Sequence, residues 1–376
     1  SQSAQKGAQP GDAGSGTPAL RSDNPIKSDI ESTQDPSEVG REIVNPEDLP
    51  TISVVLATRH RASMLPPLIE AVLSDPGTLE VIVVVDGLDD SASVDVLSRW
   101  SETNGQLSYL CQEQAGQMKA LQQGVLMARG EVVLLLDDDV LPISPLATGH
   151  ARAHRDHDNL VIVGSMPVTD PHGARLGVAS RLYSKAYEAH CQALLTGDVP
   201  VLDYLWMGNI SVRRDRCLAV GVNSASYSST YYTDREFGYR LADAGLVGIF
   251  DPSIRAVHLH ARSPDAFLRD AYRQGSGLEM LYRLYPERLG PFSPRLVVEG
   301  LPNAAYIALS KISEAGWTPV TTARILLRIG LFGGRVNLDA IETNLAKRAQ
   351  HLMQWHGAKV ALNHTPPKDD EDLKVT

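Results

Sequence analysis

Three consecutive carboxylates, Asp137, Asp138 and Asp139, close the apolar run Val132-Val133-Leu134-Leu135-Leu136. Adjacent carboxylates repel one another unless a cation or hydrogen-bond donors offset the charge. Hard oxygen ligands of this kind suit Mg2+ or Mn2+, which keep bound water and share a diphosphate with the protein. A further carboxylate, Asp86, closes the apolar stretch Leu79 to Val85 and is followed by Gly87. Ligands of open α/β sheets bind outside the carboxyl ends of the strands, so acids at two strand ends face one crevice. A solvated acidic turn accounts for the triplet taken alone, and the surrounding elements have to separate the two readings.

Those elements alternate. Five apolar residues in a row before Asp137 read as a strand buried on both faces. Ile52 to Leu56 reads as a first strand, and Ser63 to Leu73 as a helix with Pro66 and Pro67 in its first turn. Leu79 to Val85 is a second strand, 91–103 a helix, Leu107 to Leu110 a short strand and Gln117 to Ala128 a helix. Strands and helices in this rhythm imply an α/β fold around a mixed, mainly parallel sheet. A receiver domain also ends a strand in an aspartate, with a proline four residues on as Pro142 follows Asp138. It requires an acidic pair after its first strand, where this chain has Ala57-Thr58-Arg59-His60-Arg61.

The second half is less regular. A helix begins near Ser144, Leu160 to Gly164 is a strand, and Ala179 to Leu195 is a helix carrying Tyr183, Tyr187 and His190. At that spacing the three rings read first as packing residues and second as the wall of a sugar site. Phe237, Leu241 and Ala244 share one helical face that stops at Gly245, and Thr233 or Asp234 stands at the helix start as a cap. Ile254 to His260 reads as a strand ending in two histidines, followed by a helix from Pro264 to Leu284. Residues 296–313, 321–332 and 337–355 read as three closing helices. Arg324, Arg328 and Arg335 beside apolar residues there suit a membrane surface or a partner, a second copy included; packing on the main domain is the simpler account.

Composition bounds the rest. The chain has 376 residues and a formal net charge of −10. Nine acids against four bases fall in 1–49 and four against two in 365–376. That leaves no basic face of the kind a nucleic acid requires. Residues 1–48, without an aromatic residue, are expected to be disordered, as is the acidic tail 365–376. No basic start with an apolar core marks a secretory leader, and no stretch reaches the roughly 18 apolar residues of a membrane span. Cys111, Cys191 and Cys217 are too few for a disulfide framework, which points to the reducing cytoplasm, with peripheral contact at the inner face of a membrane as the extension.

Taken in order, the motifs of residues 50–140 resemble the family-2 glycosyltransferases, which have the A-type (GT-A) fold. Pro50-Thr51-Ile52-Ser53-Val54-Val55-Leu56-Ala57-Thr58 matches the opening strand and nucleotide loop. Val85-Asp86-Gly87 keeps one of the paired aspartates that meet the base and has glycine for the other. Gly116-Gln117-Met118-Lys119-Ala120-Leu121 matches a helix start, and Asp137-Asp138-Asp139 matches the Asp-x-Asp signature, whose last member binds the metal while the first or middle meets the ribose. The resemblance thus implies a donor site of Ala57, Thr58, Arg59, Arg61, Asp86, Gln117, Lys119, Asp137 and Asp138, with Asp139 on the metal.

Later segments extend it. Trp206-Met207-Gly208-Asn209-Ile210-Ser211-Val212-Arg213-Arg214 looks like the family strand that lines the donor sugar, which implies Asn209 on sugar hydroxyls, Gly208 for close backbone approach and Trp206 as a flat wall. Thr233-Asp234-Arg235-Glu236 stands where the family carries its catalytic aspartate, implying Asp234 as general base, with Glu236 as the other candidate. His258 aligns with a histidine that reaches the metal or diphosphate, His260 being the alternative, and Arg262 is a candidate for the diphosphate.

The resemblance covers about 50–280. It implies a domain at 49–290, split near 165 into nucleotide-binding and acceptor halves, with a helical extension at 291–364. The implied reaction is metal-dependent, inverting transfer from a UDP-, dTDP- or GDP-sugar to an acceptor hydroxyl. A sugar-phosphate nucleotidyltransferase would carry a glycine-rich signature, which Leu56 to Pro66 lacks. A non-catalytic sugar- or nucleotide-binding module would not need Asp139, Asp234 and His258 together.

Overall fold

Apolar runs punctuated by Gly and Pro set the first elements: β1 (Ile52–Thr58), α1 (Leu65–Leu73), β2 (Thr78–Asp86), α2 (Ser91–Thr103), β3 (Leu107–Gln112), α3 (Gln117–Met127) and β4 (Val132–Asp137). Then come β5 (Val140–Pro142), α4 (Leu146–Ala153), β6 (Leu160–Ser165), β7 (Val168–Thr169), α5 (Val178–Thr196), β8 (Asn209–Arg213), α6 (Arg214–Val220), α7 (Thr233–Asp243) and β9 (Val247–Leu259). The chain continues through α8 (Pro264–Leu284), the short α9 (Pro286–Leu289), α10 (Pro319–Arg335) and α11 (Asp339–Leu362). The computed structural model describes residues 48–170, 176–298, 319–335 and 339–362. The N-terminal segment expected to be disordered (all but its last residue), the acidic tail and most of the 296–313 helix lie outside the described residues.

The nine described strands join in the order β3-β2-β1-β4-β8-β6-β9-β5, with β7 also on β9. β1 to β4 are mutually parallel, β8 runs antiparallel between β4 and β6, and β6 and β9 are parallel again. The sheet is therefore mixed and mainly parallel, and both faces are covered. Side chains alternate along β1: Val54 and Leu56 pack with Leu65, Leu68 and Leu97 on one face, whereas Val55 packs with Leu121, Val125, Phe237 and Leu241 on the other.

Two features of this frame position the site. The short β5, set by the turn after the acidic triplet, pairs antiparallel with the end of β9, bringing Val140 opposite His258. At the other side, α10 and α11 dock on α5 and α8 through Leu327, Leu352 and Met353 against Phe267 and Leu268. The helices cross closely because Gly275 faces the α11 backbone: a Cβ there would lie 1.8 Å from the Gln354 carbonyl oxygen. Arg324 turns toward Asp265 at 3.4 Å, while Ile325 and Ile329 stay exposed. No described helix is long and apolar enough to cross a membrane.

Candidate active site

The carboxyl ends of β1, β2 and β4 open onto a cleft of about 720 Å3. Ala57, Thr58, Arg59, Arg61 and Asp137 to Asp139 line it, together with Trp206, Asp234, His258 and Arg262. Thr58 donates from Oγ1 to Asp138 Oδ2 at 2.8 Å. Arg61 bridges the triplet, with Nη1 at 2.6 Å from Asp138 Oδ1 and 2.7 Å from Asp139 Oδ2. His60 between the two arginines has φ 52°, a left-handed conformation disfavoured for a side chain, and its N–H is held by Asp90 Oδ2 at 2.6 Å. Gln117 Nε2 donates to Asp137 Oδ1 at 2.7 Å. Gly208, at φ 130°, lies so close that a Cβ would stand 2.8 Å from Asp137 Oδ2.

These contacts divide the three acids. Burial, then the charges of Asp139 and Asp138, push the Asp137 carboxyl well above the usual range. Burial also raises Asp138, against the pull of Arg61. Asp139 is buried too, but the hydrogen bond and charge of His258, then Arg61 and Arg262, outweigh that burial and hold it well below the ordinary carboxylate range. Its Oδ1 is 3.3 Å from His258 Nε2, and the opposite ring nitrogen of His258 is buried without a hydrogen-bond partner among the described residues.

Asp139 and His258 form a half-shell of one carboxylate and one imidazole. Among the described residues no group of three or more His, Cys, Asp and Glu forms a closed metal cage. A two-donor shell fits Mn2+ or Mg2+, which complete their coordination with water and phosphate oxygens.

Asp234 faces the cleft from the first turn of α7. The helix is capped not by Thr233 or Asp234 but by Tyr232, at φ 60° and without a side-chain hydrogen bond. Asp234 is thereby inside the helix, its Oδ1 accepting from the Arg235 N–H at 2.9 Å. Burial raises its carboxyl above the ordinary value against the backbone donors Arg235 and Met207, the direction that makes a better base near neutral pH.

Other expected site residues are engaged by protein partners, some inside the cleft and some outside it. Asn209 is wholly buried and its Oδ1 meets His150 Nε2 at 2.9 Å, so it packs behind the cleft rather than on a sugar. Trp206 lies in the loop before β8 and lines the cleft, whereas Asn209 opens β8 and turns inward. Glu236 is buried against Arg240 at 3.0 Å and accepts from the Tyr285 hydroxyl at 2.9 Å, away from the cleft. Lys119 faces a separate depression with Gln112, Glu113 and Asn223. Asp86 lines the cleft, yet its carboxylate takes the Ala115 and Gly116 N–H groups at 2.8 and 2.9 Å and Gln112 Nε2 at 2.8 Å, pinning the loop before α3. His260 stacks on Tyr183 at 4.3 Å and meets Ser180 Oγ at 3.1 Å, outside the cleft lining. Trp206 is wedged among Tyr183, Tyr187 and His190. Arg262 pairs with Asp270 at 3.3 Å.

Arg235, Tyr232, Gln274, Gln350 and Gln354 also line the cleft and were not singled out from sequence. Arg235 carried a usable signal, a basic residue beside Asp234 in the motif. The glutamines carried none.

Residues 53–209 match the model of glycosyl transferase family 2. The chain carries a glycosyl transferase family 2 domain. No curated protein matches it in sequence. Among solved structures, the mannosyltransferase PcManGT from Pyrobaculum calidifontis, in complex with GDP-Man and Mn2+, is similar at a TM-score of 0.54 and 17% identity, over 86% of this chain and 90% of that one. GalNAc-T7 with UDP, GalNAc and Mn2+ is similar at 0.45 and 15%, over 62% of this chain and 51% of that one. The PcManGT likeness concerns the fold, which is the GT-A fold of glycosyltransferases.

Proposed function

We propose that this glycosyltransferase is inverting and metal-dependent, moving a sugar from a nucleoside-diphosphate donor to an acceptor hydroxyl. The observation that carries the reading is convergence: Asp137 to Asp139, Asp234 and His258, from three separate parts of the chain, line one cleft. Asp139 and His258 would hold a divalent cation, Mn2+ or Mg2+, and the family-2 domain and the Mn2+ and GDP-Man of PcManGT support such a donor. When bound, the cation offsets the charge that grows on the leaving diphosphate. Thr58 and Arg61 fix the carboxylates of Asp138 and Asp139, Gln117 fixes Asp137, and Arg59, paired with Asp89 at 3.7 Å, lines the same cleft and would add positive charge toward a diphosphate.

Transfer is a displacement at the anomeric carbon through an oxocarbenium-like state. Asp234 takes the proton of the attacking hydroxyl, approaching to about 3 Å. Asp234 comes from α7 rather than from a strand end, and inversion is what the resemblance to the family-2 enzymes implies. The three free cysteines support a reducing, cytoplasmic setting. Release of nucleoside diphosphate from a donor sugar with Mn2+ tests the reading. A binding module releases none, and a nucleotidyltransferase releases diphosphate only from a triphosphate.

A further inference from the structure

We infer that the cavity beside the cleft is an acceptor site for a saccharide, closed on one side by the C-terminal helix α11. The inference rests on the transferase reading and names the acceptor class for it. The cavity measures about 300 Å3 and shares Tyr183, Trp206, Tyr231, Gln274 and Gln350 with the cleft, a size at the small end of ligand pockets. Tyr231 stands three residues before Asp234, in a segment that lines the cleft throughout from Thr230 to Arg235. A molecule seated in the cavity therefore lies next to the wall that carries the base.

The lining has the chemistry of a polyol site. Arg262 and Asp270, paired at 3.3 Å, set a donor and an acceptor side by side, as adjacent sugar hydroxyls require. Gln350 carries donor and acceptor on one amide, lines both spaces and has no side-chain hydrogen-bond partner among the described residues. Gln274 is held between the Tyr231 hydroxyl and Gln354. Phe267 adds an apolar face for the ring. A long acyl or isoprenoid chain needs an apolar tunnel, and charged Arg262 and Asp270 stand in the way of one.

The family match ends at residue 209, whereas Tyr231, Arg262, Asp270, Gln274 and Gln350 all follow it. Choice of acceptor thus belongs to this chain's own C-terminal half and to the close α8–α11 crossing.

Saturation-transfer NMR on the full chain with a panel of methyl glycosides, for the wild type and Gln350→Ala, tests this. Calorimetry of UDP, dTDP and GDP with Mn2+ on the wild type runs beside it, and melting temperature checks that the variant folds. The inference expects saturation on glycoside ring protons in the wild type, reduced several-fold in a normally melting Gln350→Ala. It is overturned if no glycoside receives saturation while a nucleotide binds, if the variant leaves the signal unchanged, or if a short isoprenyl alcohol binds in place of the glycosides. Glycoside binding that depends on Gln350 without any nucleotide binding would overturn the transferase reading and leave the saccharide site standing. If Gln350→Ala melts early, Gln350→Glu replaces it, with the same expected loss.

Discussion

His258 Nε2 stands 3.3 Å from Asp139 Oδ1, and the contact is set by a backbone ladder rather than by loops. β5 pairs Val140 with His258, and the Leu259 N–H donates to the Asp139 carbonyl at 2.7 Å. The two side chains therefore meet before any ligand arrives, a preorganised half-shell.

Arg61 is the second counter-charge of the triplet. Arg61→Ala leaves the nearly buried Asp138 and Asp139 short of a cation and should cost about 1–3 kcal/mol, the partial exposure of Arg61 keeping the loss below that of a fully buried pair. Melting without divalent ions should fall, and Mn2+ should recover more of it in the variant than in the wild type. Equal melting of variant and wild type without metal would show that Arg61 does not neutralise the acids.

Asp234→Asn keeps an acceptor for the Arg235 N–H and is not the helix cap, so stability should change little. It cannot take a proton at neutral pH, and turnover should fall by roughly 10²–10⁴-fold. Nucleoside-diphosphate affinity should hold. In the wild type the rate should drop as pH falls through the raised carboxyl pKa, because the protonated form is not a base. Near wild-type transfer by Asp234→Asn would place the base elsewhere, although Glu236, locked to Arg240 and Tyr285, is poorly placed for it.

Asn209 anchors a buried polar chain: His150 Nε2 meets Asn209 at 2.9 Å, His150 Nδ1 meets Ser211 Oγ at 2.7 Å and His154 Nε2 meets the same hydroxyl at 2.8 Å. Asn209→Ala should destabilise by about 1–3 kcal/mol, the cost of an unsatisfied buried group, with donor affinity retained. Urea midpoints decide. A stable variant with weak donor binding would restore Asn209 as a sugar contact.

The same chain predicts acid sensitivity. Burial lowers His150 to about 4 and His154 to about 3, against about 6.5 in an unfolded chain. As pH falls below 6.5 the unfolded state takes up protons first, so each histidine removes up to about 1.4 kcal/mol per pH unit until its folded pKa is reached. The raised Asp137 and Asp138 act in the opposite sense, so the histidine part is read by difference. His154→Gln should show a shallower loss of stability between pH 6.5 and 4 than the wild type. Identical slopes in urea titrations would show that His154 is not held neutral.

Much of the frame was legible because parallel strands buried on both faces are long apolar runs: β1, β2 and β4 appear within two residues of their expected ends. β9 was read only from Ile254, because Asp251-Pro252-Ser253 interrupts its apolar pattern while the backbone pairs through. β5, three residues long, leaves no periodicity to read, yet it brings His258 to Asp139. Motif matching named Asn209 and Glu236 without knowing which way each side chain turns; both turn into the protein, where only tertiary neighbours decide. Gln350 and Gln354 carry no sign of their own in the closing helix and reach the cleft through the glycine-permitted crossing with α8. His60 and Tyr232 give no sequence sign of their left-handed backbones, which flank Arg61 and Asp234.

The most direct test of the account is calorimetry of UDP, dTDP and GDP with the wild type and Asp139→Asn, each with and without Mn2+. The account predicts that one nucleotide binds the wild type only when Mn2+ is present. In Asp139→Asn, folding normally, that metal-dependent binding should weaken at least about tenfold, since a lost charged contact exceeds ~1.5 kcal/mol. Nucleotide affinity that ignores Mn2+, or an Asp139→Asn that binds as the wild type does, would contradict it.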